Sequence, residues 1–158
     1  MAEQNGWSVF STENGAIFNA DQLDHFDVVV WNNVSGKALN SEQREVYKNW
    51  LENGCGYVGI HASVDFSHQW VWYEQEVIGA EYSHHTLEPQ FQEGHLILET
   101  DDNHPQISEG LPEEWVREEE WYVFYENPRD RGFSILYTRD GTQINPDGTI
   151  PLIAPDND

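Results

Sequence analysis

Two short, nearly continuous apolar runs constrain this chain more than any other feature: Phe26-Asp-Val-Val-Val-Trp31 and Gly56-Tyr-Val-Gly-Ile60. Runs of this length suit strands buried on both faces, as in a parallel sheet with helices on each side. The segment between them reads as one amphipathic helix. Asn40 caps it with Gln43 as capping-box partner, Val46, Tyr47, Trp50 and Leu51 form its apolar stripe, and Gly54 stands at its C-terminal end. Strand, helix, strand over about thirty residues is a βαβ unit. The class expected is α/β.

The remaining pattern is weaker. Trp7 to Ser11 alternates as a short strand, and Asn19 caps a helical turn through Leu23. Gln69 to Ile78 reads as a helix stopped at Gly79, followed by strands over His95–Glu99, Trp121–Tyr125 and Phe133–Thr138. The chain has 158 residues, 38% apolar and 13% aromatic, enough large side-chain area for a real core. No repeat or linker interrupts it, so one domain over residues 1–158 is expected.

Charge narrows the range of partners. Asp and Glu number 29 against 7 Lys and Arg, a formal net charge of -22. Such a surface repels phosphate backbones and anionic headgroups, so neither nucleic acid nor a membrane is an expected partner. No apolar run approaches the roughly 18 residues of a membrane span, and Met1 to Gly6 lacks the basic and apolar stretches of a secretory signal. The expected location is the cytoplasm. Lys37 and Lys48 are the only lysines, a balance that suits halophile cytoplasm, where salt screens self-repulsion. Cys55 is the only cysteine, which excludes an internal disulfide and a Cys-rich zinc finger.

The sharpest chemical signal is Gly59-Ile-His61-Ala-Ser63, directly after a buried strand. A strand that breaks sharply there projects one side chain over the sheet's C-terminal edge, where ligands favour α/β folds. Imidazole in that place suits metal binding or proton transfer; a histidine bonded to backbone is the alternative. In His84-His85, an extended backbone would send the two rings to opposite faces, so at most one faces a pocket. His104-Pro105 sits in a turn, and His25, His68 and His95 have no pattern. No close-spaced H-E-x-x-H metal motif occurs. Glu118-Glu-Glu-Trp-Tyr122 joins acids to aromatics, and one carboxylate there suits a base or ligand. Trp70, Trp72, Trp121 and Tyr122 offer flat surfaces to a sugar ring, or fill a core.

Taken in order, several of these pieces resemble the ThuA-like family, named for trehalose utilisation. They are Phe26-Asp-Val-Val-Val-Trp-Asn-Asn33 with Leu39-Asn-Ser-Glu-Gln43, Gly54-Cys-Gly-Tyr-Val-Gly-Ile-His61, Trp70-Val-Trp-Tyr73, and Ile78-Gly-Ala80 with Tyr82 and His85. Asn103-His-Pro105, Gly110-Leu-Pro112 and Glu119-Glu-Trp-Tyr122 complete the set, so the likeness covers about Phe26 to Tyr125. It implies a class I glutamine amidotransferase fold, a flavodoxin-like three-layer α/β/α sandwich with a mostly parallel sheet. His61 stands where those amidotransferases carry a cysteine nucleophile, and Cys55 lies six residues too early to replace it. Glutamine hydrolysis is therefore not expected.

The resemblance further implies a catalytic set of His61, His85 and Glu120, with Asp65, Trp72, Tyr82, His104 and Trp121 as substrate contacts. His61, His85 and Glu120 would also be the ligands of a divalent metal such as zinc. The implied partner is a small-molecule sugar: trehalose-type disaccharides or their keto derivatives, processed by a hydrolase, lyase or isomerase. A non-catalytic sugar-binding or scaffold domain and a truncated fragment are the alternatives. Three local departures stand out. The family's Gly-Gly-Gly reads Gly54-Cys-Gly56, its His-Pro reads His85-Thr86, and its Asp-Glu-Trp reads Glu119-Glu-Trp121. The resemblance also implies that the family's opening strand and helix and its closing elements are missing here. The expectation is a sheet truncated at both ends, with free edges open to homo-oligomer formation.

Overall fold

The strand–helix–strand pattern is the frame of the first of two units, Met1–Gln69 and Trp70–Asp158, in a computed structural model that describes residues 3–67, 70–99 and 105–139. Helix α1 (Ala20–Leu23), strand β1 (Val28–Asn32), helix α2 (Ser41–Glu52) and strand β2 (Gly56–Ile60) follow one another in it. The two strands run parallel, in register from Val28 opposite Gly56 to Asn32 opposite Ile60. Helix α2 starts where a capping box starts it. Asn40 Oδ1 accepts from the Gln43 backbone N–H at 3.0 Å, and Gln43 Oε1 accepts from the Asn40 N–H at 2.9 Å. Gln43 also donates to the Gly15 carbonyl at 2.7 Å, which ties the box to the chain before α1.

The core of this unit is aromatic. Trp31 stacks on Phe18 at 4.8 Å, meets Tyr47 edge-on at 5.8 Å and packs against Phe66 at 4.7 Å. Its indole N–H donates to the Tyr47 hydroxyl at 3.0 Å, while Trp50 on the next turn of α2 donates to the Leu23 carbonyl at 2.9 Å. Two expectations fail here. Val28, Val30, Val58 and Ile60 remain largely exposed, so β1 and β2 are not buried on both faces. Side chains alternate along a strand, and Trp31 takes the side that α2 covers. Trp7 to Ser11 is not a strand, and Trp7, Val9 and Phe10 are exposed. Alternation alone supplies no hydrogen-bonding neighbour.

In the second unit, Tyr73–Ile78 winds as a π-helix stopped by Gly79 at φ 83°, so the helix expected over 69–78 is short and wide. Trp70 and Tyr73 stack at 5.3 Å and are buried. Strands β3 (Tyr82–His85), β4 (Phe91–Leu98), β5 (Glu114–Glu120), β6 (Tyr122–Phe124) and β7 (Tyr137–Arg139) follow, with helix α3 (Pro105–Ser108) between β4 and β5. They pair as β3–β6 and as β5–β4–β7, all antiparallel. The fold is thus mixed α/β, but parallel pairing among the described residues is confined to β1 and β2. The mostly parallel sheet of a flavodoxin-like sandwich is not what these strands form. The physical reason lies in β4 and β5: antiparallel pairs tolerate one wet face, and the acidic run Glu118 to Glu120 lies opposite Phe91, Gln92 and Glu93 as an ordinary ladder. No helix among the described residues is long and apolar enough to cross a membrane.

Burial pushes the Tyr47 phenol far above its ordinary pKa of 10.0. The unfolded chain releases this proton as pH rises past 10.0 and the folded chain keeps it, so stability falls with pH in that range. Tyr47→Phe leaves the Trp31 N–H without its acceptor, at an expected cost of about 1–3 kcal/mol. Urea unfolding at neutral and alkaline pH checks both points: the variant is less stable at neutral pH, and its stability falls less steeply in alkali.

Candidate functional site

A backbone irregularity sets which side chains of β3 meet. Tyr82 pairs with Phe124, but the register then shifts, and His84 and His85 pair with Val123 and Tyr122. In a regular strand Tyr82 and His85 would lie on opposite faces, because they are an odd number of residues apart. The extra residue at Ser83 is a β-bulge that returns both to one face. There the Tyr82 ring lies 5.1 Å from Tyr122, and the His85 ring 5.9 Å from Tyr122. His84 takes the other face and is buried, with Nδ1 bonded to the Ser83 hydroxyl at 2.8 Å and Nε2 left without a partner.

Glu120 closes this arrangement from the end of β5. The residue is 9% exposed, its Oε1 lies 3.1 Å from His85 Nδ1, and it accepts a hydrogen bond from the Gln90 amide. His85 Nδ1 also lies 2.9 Å from the Thr86 carbonyl. Both neighbours of that nitrogen are acceptors, so it carries the proton, and Nε2 of the neutral ring presents a lone pair. A buried carboxylate behind an imidazole fixes the ring's tautomer and orientation. Trp121 lies between Glu120 and Tyr122 in sequence and turns the opposite way. Its indole donates to the Gln92 carbonyl at 2.7 Å and carries the Arg139 guanidinium 5.5 Å from its ring centroid. The ring lies where a Cβ on Gly94 would be, so that position accepts only glycine without a shift.

His61 belongs to the first unit and sits just past the last rung of β2, in a left-handed conformation with φ 55°. That is the sharp turn expected of Gly59-Ile-His61. Gly59 is crowded by the Tyr57 hydroxyl and the Ser63 side chain, which would have to shift to admit a Cβ. The His61 side chain is exposed, and its Nδ1 lies 2.6 Å from Asn33 Oδ1. Asp65 is half-buried in the 3-10 turn His61–Ser67 that follows. Trp72 lies against Trp70 at 5.5 Å, and His104 falls outside the described residues. The structure thus brings together His85, Glu120 and Tyr82, and adds Tyr122, Gln90 and Thr86 to them.

The sequence model of the ThuA family, trehalose utilisation, matches residues 1–155. The chain belongs to the ThuA family. A solved ThuA-like protein from Bacteroides uniformis ATCC 8492 shares its fold, with a TM-score of 0.67 at 23% identity. The match covers 80% of this chain and 50% of that one, so the chain spans about half the length of that relative. No curated protein matches.

Within a ThuA frame the departure at Thr86 becomes readable. Thr86 donates its backbone N–H to the Trp121 carbonyl at 3.0 Å, accepts the Trp121 N–H on its hydroxyl at 3.1 Å, and donates that hydroxyl to the Gln90 carbonyl at 2.6 Å. Proline has neither the N–H nor the hydroxyl. One threonine therefore ties β3 to the Glu120–Trp121 step and to the loop that carries Gln90. No group of three His, Cys, Asp or Glu among the described residues is set to hold a metal ion. His85 offers one imidazole donor, and Glu120 stands behind it in the place of a supporting carboxylate, so this unit's pair does not make a complete ligand set.

Thr86→Val keeps shape and removes the hydroxyl. Loss of its bonds to Trp121 and Gln90 is expected to cost about 1–3 kcal/mol. Denaturant unfolding measures the loss, and a broadened or shifted His85 imidazole signal in the folded variant shows the loosened pair.

Proposed function

We propose that this ThuA chain acts on trehalose-type disaccharides or their keto derivatives, with His85 as the proton-transferring group and Glu120 as its partner. The family's role in trehalose utilisation supports this substrate class. The observation that carries the reading is His85 Nδ1 held between Glu120 Oε1 at 3.1 Å and the Thr86 carbonyl at 2.9 Å. With the Nδ1 proton fixed, Nε2 is free to take a proton from a sugar hydroxyl, or from a carbon beside a keto group, and to return it. Tyr122 lies beside the ring and Tyr82 beside Tyr122, and the two supply flat surfaces on which a pyranose can lie. Such proton transfer is shared by lyase, isomerase and hydrolase chemistry. His61 is the second imidazole of the proposal, exposed at the strand edge of its own unit.

Incubation of the protein with trehalose and with its keto derivative, followed by chromatography of the products, tests this. His85→Gln is expected to lower turnover about 10²–10⁴-fold, the range for losing a general acid or base. Tyr122→Leu should weaken sugar binding about tenfold and leave turnover at saturation nearly unchanged. Metal content is measured on the same preparations, because a divalent ion such as zinc is part of the expected chemistry. Sugar binding without turnover would overturn the catalytic assignment in favour of a binding domain. No binding of either sugar would overturn the substrate class.

A further inference from the structure

We infer that Asn33 is the positioning residue of His61, holding its imidazole in the Nδ1–H form and leaving Nε2 as the proton-accepting nitrogen; the use made of that nitrogen rests on the function proposed above. The two residues occupy equivalent places. The last rung of the parallel pair is Asn32 opposite Ile60, so Asn33 and His61 are the next residue on each strand, and the Asn33 N–H closes onto the Ile60 carbonyl at 3.0 Å. Both are left-handed, with φ 58° and 55°, and they are the only positive-φ non-glycine residues among those described. Asparagine and histidine both enter this region more often than most side chains, though it remains uncommon for any residue but glycine. Strain of this kind gathers at functional sites, where the surrounding structure over-determines it.

Backbone geometry alone does not explain an asparagine here. Glycine would adopt φ 58° without strain, so what Asn33 adds is its side chain. That side chain reaches His61 at 2.6 Å, Oδ1 to Nδ1. A carbonyl oxygen only accepts, so the imidazole nitrogen facing it is the one that bears hydrogen. Gly59 helps to fix the backbone, since the Tyr57 hydroxyl and Ser63 Oγ fill the place of its missing Cβ. The result resembles His85 in logic: in each case Nδ1 faces an oxygen acceptor, a protein carboxylate and carbonyl in one and an amide in the other.

The test uses the whole chain labelled with ¹⁵N-histidine, at a pH where imidazoles are neutral. Long-range proton–nitrogen spectra read the tautomer of His61, assigned by the signal that His61→Gln removes. The expected result is the Nδ1–H pattern in the native chain and in Asn33→Asp, whose carboxylate accepts the same bond. Asn33→Gly is expected to shift the ratio about five- to tenfold toward Nε2–H, the loss of one hydrogen bond, with an unchanged or raised Tm because the left-handed strain is relieved. An Nε2–H pattern in the native chain overturns the inference, since it would mean the amide presents its nitrogen instead. An unchanged pattern in Asn33→Gly overturns it as well. The native spectrum decides even if the glycine variant does not fold. A tautomer shift in Asn33→Gly, with sugar turnover intact in both it and His61→Gln, would uphold the positioning and remove His61 from the proposed function.

Discussion

A nitrogen caught between two acceptors has one protonation state open to it. At His85 Nδ1 those acceptors are the Thr86 carbonyl and Glu120 Oε1, and the chemistry of the second unit follows from their presence. The carbonyl is set by the β3 backbone and cannot move independently of it. The carboxylate is set by β5, and it is buried, so it needs donors to remain charged. Gln90 and His85 supply them. The pair is therefore mutually dependent: the imidazole keeps its proton on Nδ1 because the carboxylate is there, and the carboxylate tolerates burial because the imidazole and amide face it. Truncating either partner removes one hydrogen bond from the other, with Glu120 keeping the Gln90 amide and His85 keeping the Thr86 carbonyl.

The first unit solves a related problem with backbone conformation. Trp31, locked by stacking on Phe18 and by its bond to Tyr47, fixes which side of β1 faces the core. Alternation then determines the direction of every residue to the strand's end, and the parallel register transmits it to β2. Past the last rung both chains turn through the left-handed region, which brings Asn33 and His61 within hydrogen-bonding distance. A strand that ended in an ordinary extended residue would carry His61 onward in line with β2.

The charge of the chain has less to do with these sites than its size suggests. Arg117 pairs with Glu119, Arg129 with Glu99 and Arg131 with Glu126, all partly exposed to solvent. Exposed pairs of this kind contribute about 0–1 kcal/mol each. A net charge of -22 acts instead as a field over the whole surface, one that favours neutral or cationic ligands over anionic ones. A sugar, uncharged and rich in hydroxyls, is compatible with that field.

Legibility in the sequence divides along physical lines. The parallel pair, the helix between its strands, the capping box and the turn at His61 were all readable, because each is written in local spacing: apolar runs, a stripe at helical period, Asn40 and Gln43 three apart, small residues around His61. The antiparallel half is legible only in fragments. Glu114–Glu120 gives little strand signal because a strand with one wet face carries few apolar residues, and its partner β4 is distant in sequence. The bulge at Ser83 has no local signature at all. Without it, strict alternation puts Tyr82 and His85 on opposite faces, whereas the likeness to ThuA proteins asks for both in one pocket. The conflict is resolved by one inserted residue, whose effect is visible only once Phe124, Val123 and Tyr122 are paired against it. Thr86 is the reverse case. In the sequence it is only a departure from a family pattern, because its two side-chain hydrogen bonds go to residues 4 and 35 positions away. A local departure from a family motif thus becomes interpretable when the long-range partners of the substituted residue are known, and at Thr86 those partners lead directly to Glu120.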